Sequence, residues 1–505
     1  MKSITLSLIT AFILTTNFYV GQSTKIKFKS KQSKGVILNN KKLLILWDNV
    51  VFTNNKSKMY CDSANYNRTD NSFIAYKNIK IIENDSLELF GDSLHYFGNE
   101  QKALIYGNVK VINPDIELET PSLIFNQKDK IAYYSQTGKI KHKKEGYVIV
   151  SQKGTFVTRI NKLFFKENVS LDHENYKISS DTLIYNTKKE NTEIIGSTKI
   201  ITKNSIINCE KGWFDNKYNQ SSLKGDIYIQ SDNHTLYADS IFYDENSGIS
   251  YAEGNVKIIE DSNNVIIRGK YGIHNENNDS TIIYKNSILT QSDSTDTLII
   301  YADQFLKVSD SIKSDIFCYN NVVIDGTQIE GDCDSIYFNE NDSVMKCIEK
   351  PILWIDSNQI SGDIINFKIH NGIIYEMDIK NNSMIINQKD SIHYDQIKGN
   401  FIKGFFDKNK MWLLKVKGDG KVIYYSIDDN DSIVTDLNDI TCEKMDIYID
   451  DNQISSINFQ SNPKGKTQPL QPNDKGKFID DFFIYPKRTY EDKYNEANGD
   501  FPRGK

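Results

Sequence analysis

Six aspartates occupy one place in a recurring phrase: Asp62, Asp92, Asp181, Asp239, Asp334 and Asp363. Carboxylates that recur in this way could gather a metal ion or serve as acid and base. One carboxylate per repeat supplies too few oxygens for a calcium cage. Asp and Ser at a strand's start also bond local backbone N–H groups. We therefore read the register as turn-capping. The seven histidines, His95, His142, His173, His234, His274, His370 and His393, form no HxH or HExxH spacing. No GxSxG, Walker or GxGxxG phrase occurs. The expectation is a protein with no catalytic residue, no metal site and no cofactor.

Cysteine chemistry is the other temptation. Cys61, Cys209, Cys333 and Cys442 fall in the slot before the acidic phrase, where other copies have Gly91, Thr120, Ser180, Ala238, Ala302 and Gly362. The slot wants a small residue, and cysteine behaves as a small hydrophobe. Copies one repeat apart should stand roughly 10 Å apart, beyond the span of a disulfide. Cys318 and Cys347 are the one pair spaced for a bridge, and no zinc spacing is present.

The elements that place these residues follow from the phrase itself. It reads "CDSANY" at 61–66, "GDSLHYF" at 91–97, "SDTLIY" at 180–185, "ADSIFY" at 238–243 and "CDSIYF" at 333–338. Two residues after the Asp stand Ala64, Leu94, Leu183, Ile241, Ile336 and Ile365; four after it stand Tyr66, Tyr96, Tyr185, Tyr243, Phe338 and Phe367. The residue between them varies freely. Period two is the mark of a strand with one buried face. A second phrase runs in step, as "YGNVKVI" at 106–112 and "EGNVKII" at 253–259. Its Gly-Asn reads as a tight turn feeding a strand. Most copies lie about 29–31 residues apart, and about a dozen are visible. One such unit cannot bury its own face, whereas stacked neighbours can. The fold expected is all-β, an elongated stack of strands.

Composition agrees. The 505 residues include 29 Tyr and 25 Phe but only 8 Pro, a mixture suited to strands and polar turns. A net charge of −6, with Lys and Arg spread along the chain, excludes a phosphate-gripping nucleic-acid binder. Residues 1–23, with one Lys before an apolar run, read as a secretory signal peptide. An uncleaved anchor is the competing reading.

The two phrases, best in "ALIYGNVKV" at 103–111 and "YAEGNVKII" at 251–259, resemble the OstA/LptA family of lipopolysaccharide-transport proteins, in the style of Bacteroidetes-type members. The resemblance covers most of residues 24–460, which would form one or more consecutive OstA-like units. It implies a β-jellyroll, or β-taco, in which two sheets make a V-shaped trough. It further implies a periplasmic protein, free or associated with the outer membrane, that shelters the acyl chains of lipopolysaccharide. Its partners would be other bridge components, or copies of itself joined end to end by strand addition. On this reading Leu94, Tyr96, Val109, Val111, Leu183, Tyr185, Ile241, Tyr243, Val256, Ile258, Ile336 and Phe338 line the groove. Too few residues follow the repeats for the barrel of the family's outer-membrane member. A structural or adhesive solenoid with a solid core would show the same periodicity, and a carbohydrate-active β-helix is suggested by the Asp register alone. Residues 461–505 hold five of the eight prolines and read as a linker, then a cap on the last rung or a docking segment.

Overall fold

The computed structural model describes residues 26–488, apart from short segments at 39–40, 55–56, 84–86, 233, 261–263, 293–296, 310–313, 340–342, 371–372, 409, 428–433, 451–452 and 471–473. The signal segment read at residues 1–23 lies outside the described residues. The chain forms two compact units, the first ending at Gly248 and the second beginning at Ile249. Both are all-β, built from antiparallel strands that mostly pair with the next strand in sequence. In the first unit, Leu87–Phe97 pairs with Ser72–Glu83 on one side and Lys102–Ile112 on the other. In the second, Tyr394–Asp407 lies between Ile373–Gln388 and Lys410–Ile427. The fold is the all-β stack that the repeat predicts, in the β-jellyroll form that the family resemblance implies.

Most of the long strands are bent. The pairing register shifts between Tyr76 and Ile79, Phe90 and Ser93, and Tyr106 and Val109 in the first unit. The same shift recurs between Tyr319 and Val322 and between Lys380 and Ser383 in the second. At each corner one strand carries two successive residues with positive φ: Lys77 and Asn78, Gly107 and Asn108, Asn320 and Asn321, Asn381 and Asn382. Asn and Gly tolerate this left-handed region better than other residues. Each bent strand thus gives one arm to each of two sheets, which makes the V. The Gly-Asn phrase therefore sits in mid-strand. It is the corner of a rung, not a turn that leads into one.

The aspartates are corrected by the same geometry. Asp62 and Asp92 lie inside their strands and accept hydrogen bonds from corner asparagines of the next strand. Asn78 Nδ2 reaches Asp62 Oδ2 at 2.9 Å, and Asn108 Nδ2 reaches Asp92 Oδ2 at 2.9 Å. In the second unit Asn321 donates to Asp303 at 2.9 Å and Asn382 to Asp363 at 3.0 Å. The two phrases meet as donor and acceptor around the bend, which explains why they run in step. Gly107 has φ of 75°, and a Cβ there would collide with the Asp92 carboxylate.

The small slot also has a partner. A Cβ on Gly91 would lie 2.6 Å from Ile105 Cγ2, and one on Gly399 would lie 2.5 Å from Val416 Cγ1. Both contacts are with the residue paired opposite the third position after the slot. By that rule Cys61 faces Ala75 and Ala302 faces Cys318. Slot and partner share one volume at the vertex, as close packing requires. All six cysteines are free and buried. The bridge considered between Cys318 and Cys347 is not formed, because Ile336 stands between them in the register. Cys347 instead hydrogen-bonds the Cys333 thiol, and that bond together with burial pushes the Cys333 pKa up.

Candidate functional site: an apolar cavity between the arms

Inward side chains from the two arms face each other across the V. Near the start of the first unit the arms are drawn together by aromatic rings. Phe52 stacks on Phe73 with centroids 4.2 Å apart, and Phe28 packs against Phe52 and Tyr66. Beyond this wall the arms part and enclose a cavity of about 200 Å³. Met59, Ile81, Leu87, Leu89, Val111 and Leu118 line one arm; Leu94, Tyr96, Ala103, Ile105, Leu123 and Phe125 line the other. The inward positions of these strands are apolar at every second residue along each arm, so the lining is continuous.

The polar lining residues are Thr53, Ser57, Glu83, Gln101 and Gln127. Most stand at strand ends, where the V opens. No lysine, arginine or histidine is among the described lining residues. Burial raises the Glu83 carboxyl above its ordinary pKa and raises the Tyr96 phenol as well. Two lysines of these strands stand outside the lining and pair with acids. Lys80 meets Glu88 at 2.8 Å, and Lys110 pairs with Glu117.

Downstream the cavity ends at Phe156, which packs on Tyr134 at 6.2 Å and edge-on against Phe165 at 6.1 Å. Tyr134 fills the vertex there. Its hydroxyl lies 2.6 Å from Ser151 Oγ, and Cβ atoms on Gly138 or Gly154 would strike its ring. Burial pushes its phenol up to about 12. In the next rungs the arms close. His142, Tyr147, Tyr176 and Tyr185 are all buried, and the His142 and Tyr147 rings stack 5.0 Å apart. Burial holds the His142 imidazole below its ordinary pKa.

Between residues 360 and 447 the second unit has a tight interior. Ile360, Ile365, Phe367, Met377, Ile379, Ile402, Leu414, Met445 and Ile447 are all 0% exposed. A space between Ile385, Ile397, Met411 and Leu414 measures about 20 Å³.

The residues expected in a groove separate accordingly. Leu94, Tyr96 and Val111 line the cavity. Val109 is buried beside its corner, outside the lining. Leu183, Tyr185, Ile241 and Tyr243 are buried beyond the Phe156 partition. Val256 and Ile336 are buried in the second unit, where Ile258 and Phe338 are half-buried. Leu87, Leu89, Ile105, Leu118 and Phe125 were missed. The alternation continues past the slot in "LELFGD" at 87–92, and that is the signal that would have found the first two.

Residues 24–181 match the family model described as OstA-like protein, so the stretch holding the cavity is an OstA-like domain. Among solved structures the chain is similar to LptH, the LptA homologous periplasmic component of the conserved lipopolysaccharide transport device from Pseudomonas aeruginosa. That similarity is 12% identity over 21% of this chain and 79% of that one, with a TM-score of 0.20. No curated protein matches the chain.

Proposed function

We propose that this chain is a periplasmic lipopolysaccharide-transport protein whose first unit holds acyl chains in the apolar cavity. The observation that carries the reading is the coincidence of the 200 Å³ cavity with the OstA-like domain. Each buried methylene contributes roughly 0.8 kcal/mol. A lining without cations among the described residues suits a ligand gripped by its hydrocarbon rather than by its phosphates. The protein acts by shielding, with no bond made or broken. Residues 1–23 direct export, and no cofactor takes part.

The edge of the first unit offers a joint to a partner. Lys27–Lys29 and Gln32–Leu38 pair on one side with Lys41–Asn54, and no second strand pairs with them among the described residues. Ile37 is 73% exposed there. An open edge invites a further strand, so the bridge component or second copy docks on this side. The tight interior of residues 360–447 supports a rigid spacer role for that part.

Depletion of the protein in its own host tests this function. Newly made lipopolysaccharide should accumulate before the outer membrane. Normal delivery in depleted cells would contradict the proposal and favour a structural role.

A further inference from the structure

The tail of the chain does not cap the last rung. Ser461 and Asn462 form another positive-φ corner, and Lys464–Pro469 continues the sheet against Val434–Asp450. Residues 474–488 then leave the sheet and cross the second unit's strands on their outer face. The face is fixed by alternation: Ile385 and Ile397 line the interior, so Met384, Ile386 and Gln396 point outward. Ile479 is 4% exposed and packs with Met384, Ile386, Ile423, Tyr425 and Leu437, with Phe482 beside them.

Two glutamines hold this segment as a strand partner would. Gln396 donates Nε2 to the Lys477 carbonyl at 2.7 Å and accepts from the Ile479 N–H at 2.8 Å. Gln359 donates to the Phe483 carbonyl at 2.8 Å and accepts from the Tyr485 N–H at 2.8 Å. Each amide brackets one residue of an extended chain, Phe478 and Ile484. Gln396 is 0% and Gln359 4% exposed. The Tyr425 hydroxyl accepts from the Lys477 N–H at 2.9 Å. Ion pairs fix the direction: Lys398 with Asp481 at 2.8 Å and Glu330 with Lys487 at 2.6 Å. The side chains of Phe478, Phe483 and Ile484 remain 44%, 56% and 43% exposed, so much of the segment is held by its backbone.

We propose that this outer face is a binding site for a peptide of two extended stretches joined by a turn at Asp480–Asp481, and that its ligand in trans is the segment 474–488 of a second copy. The site reads backbone through two amide forks, and selects sequence through the Ile479 pocket and the two ion pairs. The chain's own tail satisfies every one of these requirements, and a second copy carries the same tail. In cis the short connector after Pro469 delivers the tail at high effective concentration. Exchange between copies therefore needs a weakened resident tail or a high protein concentration.

A fluorescein-labelled synthetic peptide of residues 474–488, followed by anisotropy, tests the site on the full chain. The Ile479→Asp chain, whose own tail is weakened, should bind the peptide at least tenfold more tightly than the unaltered chain. Adding Gln359→Ala and Gln396→Ala should abolish that binding. No binding to a natively folded Ile479→Asp chain, or binding indifferent to both glutamines, would overturn the proposal. If Ile479→Asp disturbs folding, a protease site inserted at 471–473 of the unaltered chain replaces it. After cleavage, excess labelled peptide should displace the tail; a tail that never exchanges overturns the proposal equally.

Discussion

At the scale of the residue, the repeat is a solution to one steric problem, the bend. At corners such as Gly107–Asn108, two residues adopt positive φ and a carboxamide reaches the carboxylate of the preceding strand. Gly107→Ala adds a Cβ in the left-handed region and against Asp92, so it should cost on the order of 2 kcal/mol in urea unfolding. The slot makes a sharper prediction. Gly91→Ala should destabilise by about 1–3 kcal/mol through overpacking against Ile105. Pairing it with Ile105→Ala, which removes the Cγ2 methyl that the new Cβ would strike, should cost less than the sum of the two single changes, whereas the two costs would simply add if the sites were independent. The small slot was legible in sequence because Cys, Gly, Ser and Ala alternate there. Its partner was not, since Ile105 and Gly91 meet only through the antiparallel register. The Asp–Asn bond was hidden for the same reason: Asp92 and Asn108 are in different phrases, and local capping was the nearer explanation.

At the scale of the element, period two located the strands and their inward faces. It could not say where the strands bend, because a corner preserves alternation on both sides. It found rungs whose corners lack glycine, such as Lys77–Asn78 and Asn320–Asn321, but missed others. Lys285 and Asn286 form one, and Ser461 and Asn462 another; the second was masked by the prolines and lysines around it. Nor could periodicity separate open from filled interior, which depends on side-chain volumes across the V. Phe156 is the element that ends the cavity, so Phe156→Ala should lengthen it. That substitution should cost about 3–5 kcal/mol while increasing the chain length of the fatty acyl ligand bound most tightly. Calorimetry with saturated acyl chains of increasing length checks the shift. An unchanged length preference would place the end wall elsewhere.

At the scale of the whole molecule, the repeats look alike in sequence but do two jobs. The first unit opens a cavity, and residues 360–447 of the second pack tightly inside and bind the tail outside. Glu83 ties stability of the first unit to pH. Burial raises its folded pKa above the unfolded value, so the native state holds the proton more tightly. Its contribution is fully present below the ordinary carboxylate pKa and is lost as pH rises through the raised one. Glu83→Gln should therefore remove that loss, and unfolding midpoints followed across this interval will show a flatter profile than the unaltered chain. The central claim is that acyl chains lie in the first unit's cavity and not along every rung. Photo-crosslinking in living cells tests it most directly, with the reactive residue placed at Leu89, Tyr96 or Phe125, and in parallel at Ile365, Phe367 or Ile402. The account predicts lipopolysaccharide adducts at the first three positions and none at the second three. Adducts of equal strength at both sets, or at neither, would contradict it.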